Sequence, residues 1–292
     1  MGSKMMELSN RFLDTFAKGK AFTRKIRYKQ KYIKRDDGSV LRLCVYSPKT
    51  QNKKAPALLW IHGGGFAIGV PEQDISFIKR FVLECGCTVI SPDYTRSPDA
   101  PYPAAVNDCY NTLLWIQRES EFLGIDKKKI CVGGDSAGGS LCVAVCLLAR
   151  DRGEVPIKVQ LPLYPMLDYR ETPSSKDNDS PIWNSRSNKI AWEKYLKGII
   201  SVPKYASPAL ETDYSGLPPA ITYVDTIEPF YDETVSYVEN LKKVGVPAEF
   251  KVFRGCFHGF DISCPNTNVA KTARKFLIDS FNNELKKDVL EK

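Results

Sequence analysis

The sequence predicts an α/β fold with a mostly parallel central sheet, helices on both faces and a small helical cap. Three observations carry this. Short apolar runs alternate with helical stretches through most of the chain. One such run leads into a glycine-bounded serine and then directly into a helical stretch. A polar segment at 168–206 interrupts the alternation, as an insertion at the carboxyl edge of a parallel sheet would.

Taken in order, residues 5–17 have the spacing of an amphipathic helix, with Leu8, Phe12, Leu13 and Phe16 as its expected packing face. Residues 24–34 and 40–47 read as strands joined by the turn Asp36-Asp37-Gly38-Ser39. Basic residues at 25, 27, 29 and 31 follow the strand period of two. Ala57 to Ile61 is a continuous apolar strand, as a sheet covered on both faces requires. A helical stretch at 73–85, a strand at 88–90, a helix at 104–120, a strand at 129–133 and a helix at 139–151 continue the alternation. A strand at 157–163 precedes the insertion, which opens as a loop and offers a helix near 188–200. Strand 220–224, helix 231–244, strand 248–253 and helix 268–286 complete the chain. We read residues 1–292 as one catalytic domain, its cap built from about 1–20 and 168–206.

Composition narrows the function classes. No apolar run approaches the ~20 residues that span a bilayer, and the first residues lack a signal peptide's apolar core. The nine cysteines are odd in number, scattered, and include no C-x-x-C pair. That favours core thiols in a reducing cytoplasm over a disulfide framework or a zinc site. The formal net charge is +8, and residues 18–35 hold nine Lys or Arg and no acid. No nucleic-acid motif accompanies them, so the stretch reads as a solvated edge hairpin whose charge discourages aggregation. We therefore expect no nucleic-acid partner and no membrane partner, with a small molecule as ligand.

Gly134-Asp135-Ser136-Ala137-Gly138-Gly139 follows the run Ile130-Cys131-Val132-Gly133. This is the G-x-S-x-G elbow, a turn so sharp that side chains two residues either side of the serine would collide. It lifts the Ser136 hydroxyl to the sheet's edge at a helix N-terminus. A hydroxyl attacks only when a base takes its proton. The chain has two histidines, His62 and His258. Along this architecture the order is serine, acid, histidine, so His258 is the expected base. At the ordinary imidazole value of about 6.5, activity should rise as pH climbs past that point.

His62-Gly63-Gly64-Gly65-Phe66 follows strand 57–61. Attack on an ester carbonyl puts negative charge on oxygen, which needs preorganised N–H donors. Such HGGG-type loops supply them, together with the N–H after the nucleophile. Gly64, Gly65 and Ala137 are the expected donors, and His62 is expected to brace the loop. The acid should follow a strand between Ser136 and His258. Asp225 ends such a strand and Glu228 lies in the loop after it; position does not separate them. Asp232 and Glu233 fit a helix's first turn instead.

From about residue 40 to the C-terminus the chain resembles the hormone-sensitive-lipase-like family of α/β-hydrolases. The resemblance rests on His62-Gly63-Gly64-Gly65, Asp93-Tyr94, Pro101-Tyr102-Pro103-Ala104-Ala105, Gly134 to Gly139 and Phe257-His258-Gly259-Phe260. The family's acid sits in an Asp-Pro-Leu-x-Asp-Glu segment. Glu228-Pro229-Phe230-Tyr231-Asp232-Glu233 matches that frame with glutamate for aspartate, so the resemblance points to Glu228. A second departure is Thr95 where the family has arginine after the tyrosine. The resemblance implies a serine carboxylesterase of short, acetyl-like acyl groups, acting through Ser136, His258 and Glu228 without cofactor or metal. An amidase of the arylformamidase type would use the same groups, and a binding protein on a retired hydrolase frame would lack the base. A homodimer is left open.

Overall fold

The computed structural model describes residues 3–20, 23–35, 37–50 and 54–287. Asp36 of the expected hairpin turn, and residues 1–2 of the expected cap, lie outside them. Eight strands form one sheet in the order β1-β2-β4-β3-β5-β6-β7-β8. They are β1 (Arg27–Lys34), β2 (Val40–Ser47), β3 (Ala55–Ile61), β4 (Thr88–Pro92), β5 (Ile125–Asp135), β6 (Gln160–Leu163), β7 (Ala220–Asp225) and β8 (Ala248–Phe253). The pairs β1–β2 and β2–β4 are antiparallel and all the others parallel. The parallel part therefore directs the carboxyl ends of β3, β5, β7 and β8 to one edge, and the loops leaving them carry the chemistry.

The helices are α1 (Ser3–Phe16), α2 (Ile75–Glu84), α3 (Ala104–Arg118), α4 (Ser120–Leu123), α5 (Ala137–Arg152), α6 (Ser185–Tyr195), α7 (Tyr231–Lys243), α8 (Phe260–Ser263) and α9 (Asn268–Lys286). Two apolar layers separate them. One face of the sheet carries Leu59, Ile61, Val132 and Ile90 against α3 and α5. The other carries Leu58, Trp60, Val89 and Tyr223 against α2 and α9. Adjacent residues of β3 thus point to opposite, equally buried layers. This is why the strand is apolar throughout instead of alternating. Buried α5 is apolar all round, with Leu141, Val143, Val145 and Leu147 all below 2% exposed.

The strand expected at 129–133 runs from Ile125 to Asp135, and the one expected at 157–163 is confined to Gln160–Leu163. The helix expected near 188–200 starts at Ser185, because the Asn184 side chain accepts from the Ser187 N–H at 3.1 Å and caps it. It ends at Tyr195, ahead of Gly198 at φ +82°. The N-terminal helix is where expected but turned over. Met6 is buried, Leu13 is half-buried and Asn10 bonds to the protein, whereas Leu8, Phe12 and Phe16 face solvent. The docking face was decided by Asn10, whose Nδ2 donates to the Ala67 carbonyl at 2.9 Å and whose Oδ1 accepts from the Gly69 N–H at 3.3 Å.

A buried ion pair ties the N-terminal segment to the sheet. The Glu72 carboxylate accepts from the Gly19 N–H (2.7 Å), the Tyr28 hydroxyl (2.9 Å) and both terminal nitrogens of Arg42 (2.5 and 3.1 Å). Without Glu72 the Arg42 guanidinium keeps Asp93 at 3.1 Å but loses the carboxylate on its two terminal nitrogens. Glu72→Ala is expected to lower unfolding free energy by about 2 kcal/mol, the level of hydrogen bonds to a charged group. Urea unfolding would show it, and a loss below about 1 kcal/mol, the level of an exposed pair, would show the pair to be inconsequential.

Candidate active site

β5 delivers Ser136 at its carboxyl end, and α5 begins at the next residue. Ser136 sits at φ +55°, ψ −120°, a region that side chains avoid and that persists only where the surroundings hold it. They do so here. The Ser136 N–H donates to the Leu163 carbonyl at 2.9 Å, and its own carbonyl accepts from Met166 and Ser140. A Cβ on Gly134 or on Gly138 would strike the Ile61 carbonyl at the end of β3. The two glycines are therefore a packing necessity between neighbouring strands as much as a turn requirement.

The three residues singled out for proton transfer converge. His258 Nε2 lies 2.9 Å from Ser136 Oγ. On the other side of the ring, His258 Nδ1 meets Glu228 Oε2. Glu228 is fully buried, and its second oxygen accepts the Asp225 N–H at 3.0 Å. The imidazole is held edge-on between Tyr164 and Phe230, each with centroids at 5.0 Å. Burial lowers His258 to about 4, against the raising fields of Asp135 and Asp261, so the resting ring is neutral. Burial likewise pushes the Glu228 carboxyl up, while the Asp225 N–H pulls it down.

Asp225, the alternative acid, contributes its backbone. Both of its carboxyl oxygens are buried without a hydrogen-bond partner among the described residues. Burial, and then the neighbouring Glu228, raise it to about 10, which keeps it a neutral acid. Asp232 accepts from the Ser174 N–H at 2.7 Å and Glu233 from the Asp168 N–H at 2.5 Å. Both lie in the first turn of α7 and fasten the segment after β6 to it.

The glycine loop lies beside this line. Gly64 and Gly65 have φ +121° and +58°. A Cβ at Gly64 would strike the Ile68 carbonyl, and one at Gly65 the Trp183 ring. Their N–H groups have no acceptor among the described residues. The Ala137 N–H, in the first turn of α5, has no intrahelical acceptor. His62 braces the loop. Its ring stacks on Tyr94 at 4.3 Å, and its Nδ1 contacts the Gly63 carbonyl at 2.8 Å. Burial lowers it to about 4, so it too is neutral.

Two supporting features were not anticipated from the sequence. Asp135 accepts the Gly63 N–H at 3.0 Å, linking the elbow to the glycine loop. Its carboxyl pairs with Asp74, which also accepts from Trp60 Nε1 at 2.9 Å. Burial is the main cause raising both, Asp74 to about 6, so the pair holds a proton. Asp261 accepts from the Tyr164 and Tyr223 hydroxyls at 3.2 and 2.5 Å, which fixes the ring that flanks His258. The one available signal was Asp135 inside the elbow motif; its partner is far away in sequence.

Comparison with known proteins agrees with this architecture. A family model described as alpha/beta hydrolase fold matches residues 58–262. Esterase LipI of Mycobacterium tuberculosis is 32% identical over 223 residues, covering 74% of this chain and 69% of that protein. An arylesterase of Saccharolobus solfataricus is 33% identical over 239 residues, covering 78% and 75%. The solved structure of a bacterial heroin esterase superposes with a TM-score of 0.89 at 32% identity, covering 97% of this chain and 92% of that one. With the fold, the elbow and the glycine loop already in place, the chain belongs to the alpha/beta hydrolase fold family, in its hormone-sensitive-lipase-like branch, and is a carboxylic ester hydrolase.

Proposed function

We propose that the enzyme cleaves esters of short, acetyl-like acyl groups through Ser136, His258 and Glu228 and an acyl-enzyme. The observation that carries this is the unbroken line from Ser136 Oγ through both His258 nitrogens to Glu228. Ser136 Oγ attacks the carbonyl carbon while His258 Nε2 takes its proton. Charge builds on the carbonyl oxygen, and the N–H groups of Gly64, Gly65 and Ala137 stabilise it. The intermediate collapses, the C–O bond to the alcohol breaks, and His258 returns the proton to the leaving oxygen. Water then attacks the acyl group, again losing a proton to His258, and the acid departs with Ser136 restored. Glu228 holds Nδ1–H throughout, so Nε2 is always the nitrogen facing the serine. No step calls for a cofactor or metal.

Bulk over the glycine loop supports the short acyl preference. Trp183 packs on Gly65, and Phe66 is stacked on Tyr195 at 3.9 Å with Trp192 beside it. A series of nitrophenyl esters tests it. The acetyl and butyryl esters should exceed the octanoyl ester by roughly ten-fold or more in kcat/KM; an optimum at octanoyl would refute the preference. A matched acetanilide should be far slower, and an anilide preferred over the ester would make the enzyme an amidase. The nine free thiols, six of them buried, fit a reducing compartment, and we read the enzyme as cytoplasmic.

The pH profile follows from the buried ring. Only neutral His258 accepts a proton, so protonation at low pH abolishes turnover and the acid limb marks its pKa. Burial lowers that value from 6.5 to about 4, so the rise expected from sequence near 6.5 moves to lower pH. The limb of kcat/KM is expected below pH 6, with a plateau through pH 7. A limb centred at 7 or above would contradict the burial argument.

A further inference from the structure

Two peptide groups aim the Gly64 and Gly65 N–H groups, and they are held differently. A trans peptide sets its C=O and its N–H in opposite directions, so whatever holds one carbonyl aims the next residue's N–H. The one cis bond among the described residues is Tyr102–Pro103, so both peptides here are trans. The Gly64 carbonyl accepts from the Ala67 and Ile68 N–H groups at 3.1 and 3.0 Å, and backbone thereby aims the Gly65 N–H. The Gly63 carbonyl is held by side chains instead. His62 Nδ1 meets it at 2.8 Å, and Gln73 Nε2 donates to it at 3.3 Å.

The Gly63–Gly64 peptide needs such anchors. Neither residue carries a Cβ, and Gly64 sits at φ +121°, so the group between them can turn over at little steric cost. Turned over, it would put the Gly63 carbonyl where the Gly64 N–H now points, and a developing oxyanion would meet a lone pair instead of a donor. His62 commits its one ring proton to this carbonyl: its Nε2 is buried without a partner among the described residues. Gln73, half-buried beside the loop, has its amide orientation fixed. Its Oε1 accepts the Val70 N–H at 3.2 Å, which leaves Nε2 as the end that faces Gly63. The buried Asp74 carboxyl is a second partner for the Gln73 side chain. Asp135 completes the frame by taking the Gly63 N–H at 3.0 Å.

We propose that Gln73 is a positioning residue for the oxyanion hole, holding the Gly63–Gly64 peptide so that the Gly64 N–H is turned toward the reacting carbonyl. The proposal rests on the reading of Gly64 as an oxyanion donor in ester cleavage. Gln73 acts through the loop, not on the substrate. A neutral ester oxygen is a weaker acceptor than the oxyanion that replaces it, so a misaimed donor costs the transition state more than the ground state. The effect therefore belongs in kcat and leaves KM nearly unchanged. His258 and Glu228 stand on other loops, so their response to pH is untouched.

Kinetics with nitrophenyl acetate and binding of a transition-state analogue test the proposal. The analogue is an alkyl trifluoromethyl ketone, to which Ser136 adds to leave an oxyanion in the hole. Rates are referred to active sites counted with a fluorophosphonate, so that unfolded protein is not read as slow enzyme. Gln73→Met keeps the length of the side chain and removes the donor. Its kcat and kcat/KM should both fall by about ten-fold, with KM within about three-fold of wild type and the ketone bound about ten-fold more weakly. This is short of the roughly 10²–10³-fold cost of losing an oxyanion donor, because His62 still holds the carbonyl. Gln73→Glu keeps an acceptor for Val70 but sets a carboxylate oxygen against the Gly63 carbonyl, and its kcat should fall at least as far. The acid limb of kcat/KM should stay at its wild-type position in both variants. Wild-type kcat and ketone affinity in either variant overturn the proposal, as does a loss carried by KM alone or one that moves the acid limb. A wild type that neither hydrolyses the ester nor binds the ketone overturns the esterase reading, and this proposal with it.

Discussion

Ser136→Ala is expected to lower kcat for nitrophenyl acetate by roughly 10⁵–10⁶-fold. The three side chains act as a unit. His258 has nothing to deprotonate once Oγ is gone, so the imidazole and Glu228 lose their purpose together. The glycine loop remains and can still polarise a bound carbonyl, which is why a small residual rate over water is expected. The fold should survive, because the strained backbone at residue 136 is held by bonds from its own N–H and C=O, not by its side chain. Melting temperature separates the cases. Lost activity with an unchanged Tm supports the assignment, and retained activity removes it.

Glu228→Gln is expected to cost roughly 10⁴-fold in kcat. An amide keeps the size of the carboxylate but can turn an NH₂ donor toward His258 Nδ1. The ring then carries its proton on Nε2, the nitrogen that must accept from Ser136, so it rests in the wrong tautomer. The loss of negative charge also leaves the imidazolium formed during attack uncompensated in a dry site. Asp225→Asn is the matched comparison. Asp225 reaches Glu228 by its backbone N–H, which asparagine preserves, and its buried carboxyl is already neutral near pH 7. That variant should stay within about three-fold of wild type, below the ~1 kcal/mol of one hydrogen bond. An inactive Asp225→Asn beside a normal Glu228→Gln would transfer the acid's role to Asp225.

What could be read from the sequence follows from the range of the forces involved. The elbow was legible because its glycines answer local sterics, and local sterics leave a spacing in the chain. His258 was legible by scarcity, with one histidine downstream of the serine. Glu228 needed the family frame. Asp225 and Glu228 are three residues apart on one loop, and only the folded chain shows which side chain reaches the ring. The Asp74–Asp135 pair was out of reach, since neither residue carries a mark of the other. The orientation of α1 was misread for a related reason. Periodicity gives the existence of an apolar stripe, but the side that packs was decided by Asn10 finding two backbone partners.

The most direct test of the account is where a fluorophosphonate becomes attached. The reagent takes a phosphonyl group onto a serine whose hydroxyl is activated by a neighbouring imidazole, so its adduct reports that activation without any choice of substrate. Intact mass and peptide mapping should place a single adduct on Ser136 in the wild type, with labelling slowed by orders of magnitude in His258→Ala. An unlabelled wild-type chain, or an adduct on a different residue, would contradict the account.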